Sequence, residues 1–379
     1  MLDTVILQLN PSQYHIQIYE NFGATKEQIT GARGGFRKWI NNPTTQDKKN
    51  DIYKPRLTLI KRGAILFLKV EFSAPKLIFN NNIEELDDSD FDLVIKTLRE
   101  RMQSMGVLVF STCLENAEII SFHPSKNIPL SKGYTANLAI KELNKIDCSK
   151  RFDFDEKNYR NNGEVLQFYT RSHSFVIYDK INDLVKPQKR ATDKDQTKQQ
   201  LSIFDYIKTN EQTLQILRLE IRLSLKQKLN NVMDFLEQKT NPTFKDIFNK
   251  ELCKKIVNYY WDNFFGNNLF IFNTNSSPQY ILQLIFMKYP KTKILQAIKA
   301  VGLYMLCKDD DGIKGFRQII DSHRRNRADW QTVKENLKQF EDEIFASSVW
   351  GFIKDIRREL RDFKPYRLTK TENLMCKEK

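Results

Sequence analysis

Between Thr213 and Lys226 the sequence TLQILRLEIRLSLK alternates strictly: Leu217, Leu219, Ile221, Leu223 and Leu225 share one parity, and Arg218, Glu220, Arg222 and Ser224 share the other. Successive side chains of a strand point to opposite faces, so this is a strand with one apolar and one charged face. Such a strand cannot stand alone. It needs neighbours to pair with and a core beneath its leucines. A charged face of this kind is ordinarily a solvated ion-pair ladder. The functional alternative is that Glu220 holds a divalent metal while Arg218 and Arg222 take phosphates.

The neighbours can be read along the chain. Residues 2–9 form a strand. Residues 57–72 form a hairpin about Arg62-Gly63, closed by Pro75, which cannot donate to a ladder. Glu71, late in that hairpin, is the natural partner of Glu220. Asp87, Asp88 and Ser89 offer caps for a helix over 90–105. Strands follow at 107–110 and 117–122, the second ending at His123, and then a helix at 135–146. Residues 164–180 make a second hairpin whose second strand ends on Tyr178, followed by Asp179 and Lys180. Residues 185–200 turn to Lys, Gln, Asp and Thr and read as a linker, with a helix over 201–208. Beyond 230 the period is helical almost throughout. The expected class is α+β: an antiparallel sheet backed by helices over 1–230, then an all-α region over 231–379.

Composition narrows the partners. The 379 residues carry a formal net charge of +14, which favours a polyanion, nucleic acid first and an anionic membrane second. No apolar run approaches the ~18 residues of a membrane span, so no membrane partner is expected. The five cysteines are scattered, none at CxxC spacing, which indicates neither zinc nor a disulfide framework and fits a cytoplasmic location. The TGARGG of residues 30–35 lacks the Gly-Lys-Ser/Thr ending of a phosphate-binding loop.

The chemistry centres on Tyr178. A phenol titrates near 10, so nucleophilic use needs a neighbouring cation or base, and Lys180 is close in sequence. Tyr169, on the facing strand, is the second choice. His123 with one or two carboxylates suits Mg2+ or Mn2+ better than zinc; His173, in the turn, could reach the same place. Basic runs at His323, Arg324, Arg325 and Arg327, and at Arg357, Arg358 and Arg361, lie near Trp330, Trp350 and Phe352. Interleaved basic and aromatic residues suit phosphate contact and base stacking; a solvated basic face over a Trp core is the alternative.

Four stretches together resemble the gene II/gene X replication proteins of filamentous phages and their plasmid relatives, the rolling-circle replication initiators. They are Met1-Leu-Asp-Thr-Val, Val70-Glu71-Phe72-Ser73-Ala74-Pro75-Lys76, Phe175-Val-Ile-Tyr178-Asp-Lys and Leu217-Arg218-Leu-Glu220-Ile-Arg222. The last two are also similar to motifs of staphylococcal-type plasmid initiators. The resemblance spans about residues 1–230. It implies a metal-dependent, site-specific single-strand DNA endonuclease and ligase in which Tyr178 forms a 5′-phosphotyrosyl link. Mg2+ or Mn2+ would sit on Glu71, Glu220 and His123, with Lys180, Arg218, Arg222 and Lys76 at the phosphate. The helical region, through Arg324, Arg325 and Arg327, would grip origin DNA. It further implies origin duplex and single strand as partners, host helicase and polymerase, and the cytoplasm of a bacterial cell. Where many relatives carry Arg-x-Asp, this chain has Ser121-Phe122-His123, and a paired-histidine motif is absent. A non-catalytic origin-binding initiator or repressor, and a transposase or mobilisation nickase with the same chemistry, are the other classes open to such a sequence.

Overall fold

A computed structural model describes residues 1–32, 35–131, 133–146, 156–160, 164–184, 214–266, 272, 277–309, 311–322, 327–340 and 349–368. The expected linker at 185–200 and helix at 201–208 lie outside these residues. The described part is a mixed α+β structure with a large antiparallel sheet and many helices. In chain order the strands are β1 (Leu2–Leu9), β2 (Tyr14–Ile16), β3 (Phe36–Asn41), β4 (Arg56–Arg62), β5 (Ile65–Ser73), β6 (Val107–Val109), β7 (Glu118–Pro129), β8 (Glu156–Arg160), β9 (Val165–Tyr169), β10 (His173–Asp179) and β11 (Ile216–Leu223). Nine of them form one sheet in the order β3-β4-β5-β1-β7-β11-β10-β9-β8, and β2 pairs with β6 apart from it.

The alternating strand of the opening stretch is therefore β11, deep inside the sheet between β7 and β10. Glu220 lies opposite Ser125 on β7 and Val176 on β10, and Arg218 lies opposite Asn127 and Tyr178. Paired residues share a face, so Tyr178, Arg218, Glu220, Arg222, Ser125 and Asn127 lie on one side. Leu217, Leu219, Ile221 and Leu223 lie on the other, fully buried.

Helices cover that apolar side. Helix Lys250–Phe265 presents Tyr260, Phe264 and Phe265 to the sheet; the Phe264 ring lies 4.6 Å from Phe168 and 5.3 Å from Phe175. Each such buried aliphatic or aromatic side chain contributes about 1.5–3 kcal/mol of transfer free energy. Helices Ala136–Asn144 and Gly351–Asp362 add Ile140, Leu143, Phe352 and Ile356. Residues on both sides of 230 belong to one hydrophobic cluster, so the core has no break at the expected boundary. No helix among the described residues is long and apolar enough to cross a membrane.

Several elements differ from expectation. β7 does not stop at Phe122 but continues to Pro129, through a proline whose missing N–H falls at a slip of register between β1 and β7. His123 is thus in mid-strand, not at a strand end. The helix begun at Thr243 breaks after Ile247, and Asn249 caps a new one by accepting from Leu252 N–H at 2.8 Å. Beyond helix Gly351–Asp362 an extended segment, residues 364–368, lies along residues 84–85: Glu85 N–H donates to Tyr366 O and Tyr366 N–H to Glu85 Oε2, both at 2.9 Å. Lys126 of β7 ties the two together, donating to Glu85 Oε2 at 2.9 Å and to Lys364 O at 2.8 Å.

Candidate functional site

The polar side of β11 is not solvated. Arg218 and Glu220 are 2% and 3% exposed. The solvated ion-pair ladder is therefore replaced by a buried network, and each charge in it needs a partner. Glu220 Oε1 accepts from Arg222 Nε at 2.7 Å. Glu220 Oε2 accepts from Tyr178 Oη at 2.8 Å and lies 3.5 Å from Arg218 Nε. Arg218 spends its remaining donors on Asp3 Oδ2 (2.9 Å), Ser125 Oγ (2.8 Å) and Asn82 O (2.9 Å). Ser73 Oγ donates to Asp3 Oδ1 at 2.9 Å, which connects β5 to the chain of contacts.

Electrostatics sets the protonation states. Burial alone would raise the Glu220 carboxyl, but Arg222, Arg218 and His123 hold it well below the usual carboxylate range. Burial pushes the Tyr178 phenol well above 10; Arg218 opposes this and Glu220 adds to it. Burial, then the like charge of Arg218, lowers Lys180 to about 8. Lys180 is fully buried, its ammonium 5.7 Å from the Tyr178 ring centre and 3.9 Å from Asp183, with no hydrogen bond among the described residues. It opens the short helix Lys180–Asp183, which Asp179 caps by accepting from Ile181 and Asn182 N–H. Asp179 is thereby committed to the cap.

His123 Nδ1 lies 3.6 Å from Glu220 Oε1, and Nε2 lies 3.2 Å from Ser121 Oγ. Ser121 Oγ also donates to Leu223 O at 3.0 Å. In the tautomer that leaves Ser121 its bond to Leu223 O, Nε2–H donates to Ser121 and the Nδ1 lone pair faces a carboxylate oxygen. Burial lowers His123 to about 4 against the pull of Glu220, so the ring is neutral at pH 7. A lone pair against an anion fits a shared cation, with Ser121 orienting the ring from behind. Glu71 is on the same sheet side, its charge acting on His123, and its carboxylate pairs with Lys69 at 3.1 Å. Among the described residues no three His, Cys, Asp or Glu side chains converge as metal ligands.

The other expected residues separate. His173 pairs with Leu223 and packs on Tyr260 on the helix-covered side, so parity keeps it from the Tyr178 site. Tyr169 lies across from Ser174, at the far end of the hairpin from Tyr178. Lys76 is buried in helix Ala74–Phe79 with its ammonium 5.9 Å from the Tyr53 ring centre. Trp330 and Phe352 are core side chains and not open to bases, while Trp350 is half-buried and packs at 6.3 Å against Tyr134. Arg357, Arg358 and Arg361 form an exposed face. Arg324 and Arg325 lie outside the described residues, and Arg327 begins helix Arg327–Leu337.

Sequence reasoning missed Asp3. Simple alternation places it with Val5 and Leu7 on the apolar side. Between Leu2 and Val5, however, β1 carries one residue more than β7, where the partners are Pro124 and Phe122. This bulge turns Asp3 to the polar side, beside Ser73 and Arg218. Among the described residues, then, Tyr178, Glu220, Arg222, His123, Arg218, Asp3 and Lys180 form one cluster spread over β1, β7, β10, β11 and the helix after β10. No family model, curated protein or solved structure matches this chain.

Proposed function

We propose that this chain is a site-specific, single-strand DNA nicking and joining enzyme of the rolling-circle initiator type, with the phosphodiester attacked by Tyr178. The observation that carries the reading is the Tyr178 hydroxyl donating to Glu220 at 2.8 Å in a cluster that also holds Arg222, Arg218, His123 and Lys180. Perturbed titratable groups gather at functional sites, and Tyr178, Glu220, His123 and Lys180 are all shifted. The net charge of +14 supplies the attraction for DNA.

In the proposed reaction the Tyr178 oxygen bonds to phosphorus and the bond from phosphorus to the 3′-oxygen breaks. The 5′-phosphate stays on the tyrosine, and the 3′-oxygen leaves with a proton. The reverse transfer rejoins the strand, so no ATP is consumed. Glu220 already contacts the phenol proton. Its proton affinity rises when the incoming phosphate competes for Arg222, the member of the cluster that is 38% exposed. Arg218 keeps Glu220 in place, and Lys180 adds positive charge near the phosphate oxygens. His123 and Glu220 would hold a divalent cation, Mg2+ or Mn2+, which supplies Lewis-acid polarisation of the phosphate. The exposed Arg357, Arg358 and Arg361 give the helical region a face for the phosphate backbone of origin duplex. Host helicase and polymerase, and the cytoplasm of a bacterial cell, follow from this role.

The test is incubation with single-stranded DNA and Mg2+ or Mn2+. The expected product is an SDS-resistant, protease-sensitive adduct on Tyr178. Tyr178→Phe should bind DNA and form no adduct; an adduct on that variant overturns the assignment. A second reading draws on the same burial. Tyr178 is 6% exposed and Arg218 spends its Nη1 and Nη2 donors on Asn82, Ser125 and Asp3, which suits a non-catalytic DNA-binding protein with a structural polar core. That reading predicts DNA binding with no metal-dependent cleavage.

A further inference from the structure

From residue 263 to residue 308 the sequence holds five lysines (Lys288, Lys291, Lys293, Lys299 and Lys308) and no Asp or Glu. Helices Pro278–Lys288 and Ile294–Lys308 fold over this stretch and pack on each other, with Ile281, Leu284, Ile285, Ala297, Ala300 and Tyr304 buried. Their shared tip is the opposite of a soluble surface. Met287 is 70% exposed, Ile294 66%, Leu295 70% and Ile298 54%. Ile294 and Ile298 are one helical turn apart and Leu295 adjoins them, so the three form a continuous outward stripe. Lys291, Lys293 and Lys299 are exposed around it and have no acidic partner within 4 Å among the described residues.

We propose that this tip, residues 287–298, is a peripheral docking surface for an anionic phospholipid bilayer. The earlier expectation of no membrane partner rested on the lack of a spanning segment, and a peripheral surface needs none. Four projecting apolar side chains ringed by lysines match an acyl boundary beneath anionic headgroups. A second copy of the chain would bring the same lysines face to face. Bare phosphate would give no reason for the exposed Met, Ile and Leu. The proposal is independent of the nicking reading, because it uses no residue of the Tyr178 cluster.

The experiment is flotation of the full chain with phosphatidylcholine vesicles, with and without phosphatidylglycerol. Wild type should float only with phosphatidylglycerol, and less as salt rises. Lys291→Gln with Lys293→Gln should weaken binding by about thirtyfold, about fivefold per lysine. Ile294→Ser with Leu295→Ser should weaken it at least about tenfold while leaving oligonucleotide binding unchanged. These positions are exposed, so the fold should survive. Tyr178→Phe should float like wild type, whatever becomes of the adduct. Several results overturn the proposal: no flotation, equal binding to phosphatidylcholine alone, no effect of the Ile294/Leu295 pair, or preference for an acidic amphipathic peptide over vesicles. A doubling of mass in solution that the same pair abolishes also overturns it.

Discussion

On one face of β11, Leu217, Leu219, Ile221 and Leu223 meet a helical layer through contacts that have no direction. On the other, Arg218, Glu220 and Arg222 meet Asp3, Ser125, Asn82, His123 and Tyr178 through contacts in which every partner is specified. The first excludes water throughout; the second buries Arg218 and Glu220 but leaves Arg222 38% exposed. The first tolerates any side chain of about the right volume. The second fails if one member is removed, because the remaining charges are then buried without compensation. A wholly apolar replacement could be as stable. Stability by itself therefore does not call for the polar face, and this difference is what draws attention to chemistry there.

The comparison can be broken at its strongest point with Arg218→Ala, which strands Asp3 and Glu220. It should cost about 3–5 kcal/mol in denaturant unfolding. Combining Asp3→Asn with Arg218→Met should recover part of that cost, and a double change that merely adds the two losses would refute the network. Leu219→Ala on the apolar face should cost about 3 kcal/mol by lost transfer and cavity formation, with no polar change able to rescue it. Lys180→Met should do the reverse and stabilise the fold at pH 7, on the order of 1–3 kcal/mol. The sign follows from a folded value of about 8 against 10.5 for the free side chain. Between those values the unfolded chain binds more protons, so stability falls as pH drops from 10.5 to 8, and the full penalty is present below 8. The gain from Lys180→Met should therefore disappear above about pH 10.5, as urea titrations across that range would record. If Lys180 also serves the reaction, the stabilised variant loses nicking. Tyr178→Phe should cost least, about 1.5–3 kcal/mol for a hydrogen bond to a charged group.

A pH series adds one more check. His123 is lowered to about 4 in the fold against 6.5 when free, chiefly by burial. The unfolded chain takes up the proton first, so stability from this residue is present above 6.5 and is lost as pH falls through 4. His123→Asn should flatten the acid limb of the stability profile in that window. An unchanged limb would mean that the ring is not buried neutral.

Much of the frame was legible from periodicity. Residues 216–223 and 165–179 became strands as alternation required, and helices Phe91–Ser104 and Ala136–Asn144 fell within the expected 90–105 and 135–146. What alternation could not reveal is whether a charged face meets water or protein. That depends on Ser125, Asn127 and Asp3, which reach Arg218 from other strands and look unremarkable in sequence. β7 runs on past the expected end at Phe122 because Pro124 falls at a register slip, where its missing N–H loses little. β3 went unseen because its residues Phe36–Asn41 are mostly exposed at a sheet edge and show no apolar parity. Among the candidate residues, Glu220, Tyr178, His123, Arg218 and Arg222 converge, Glu71 lies on the same side paired with Lys69, and Lys76 lies against the Tyr53 ring.

The bulge near the start of β1 works as a switch of phase. Upstream and downstream of it Leu2 and Val5 both face the apolar core, although three positions apart they would otherwise oppose each other. The spare residue lets Asp3 and Thr4 fall on the polar side together. Straightening the bulge with every residue kept would impose a strict two-residue rhythm counted from Val5. It would also rotate a carboxylate into the layer of Phe72 and Phe122 and take from Arg218 its counter-charge. The position of one extra amino acid, rather than its identity, thus decides whether the first strand helps to hold Glu220 and Tyr178 in register.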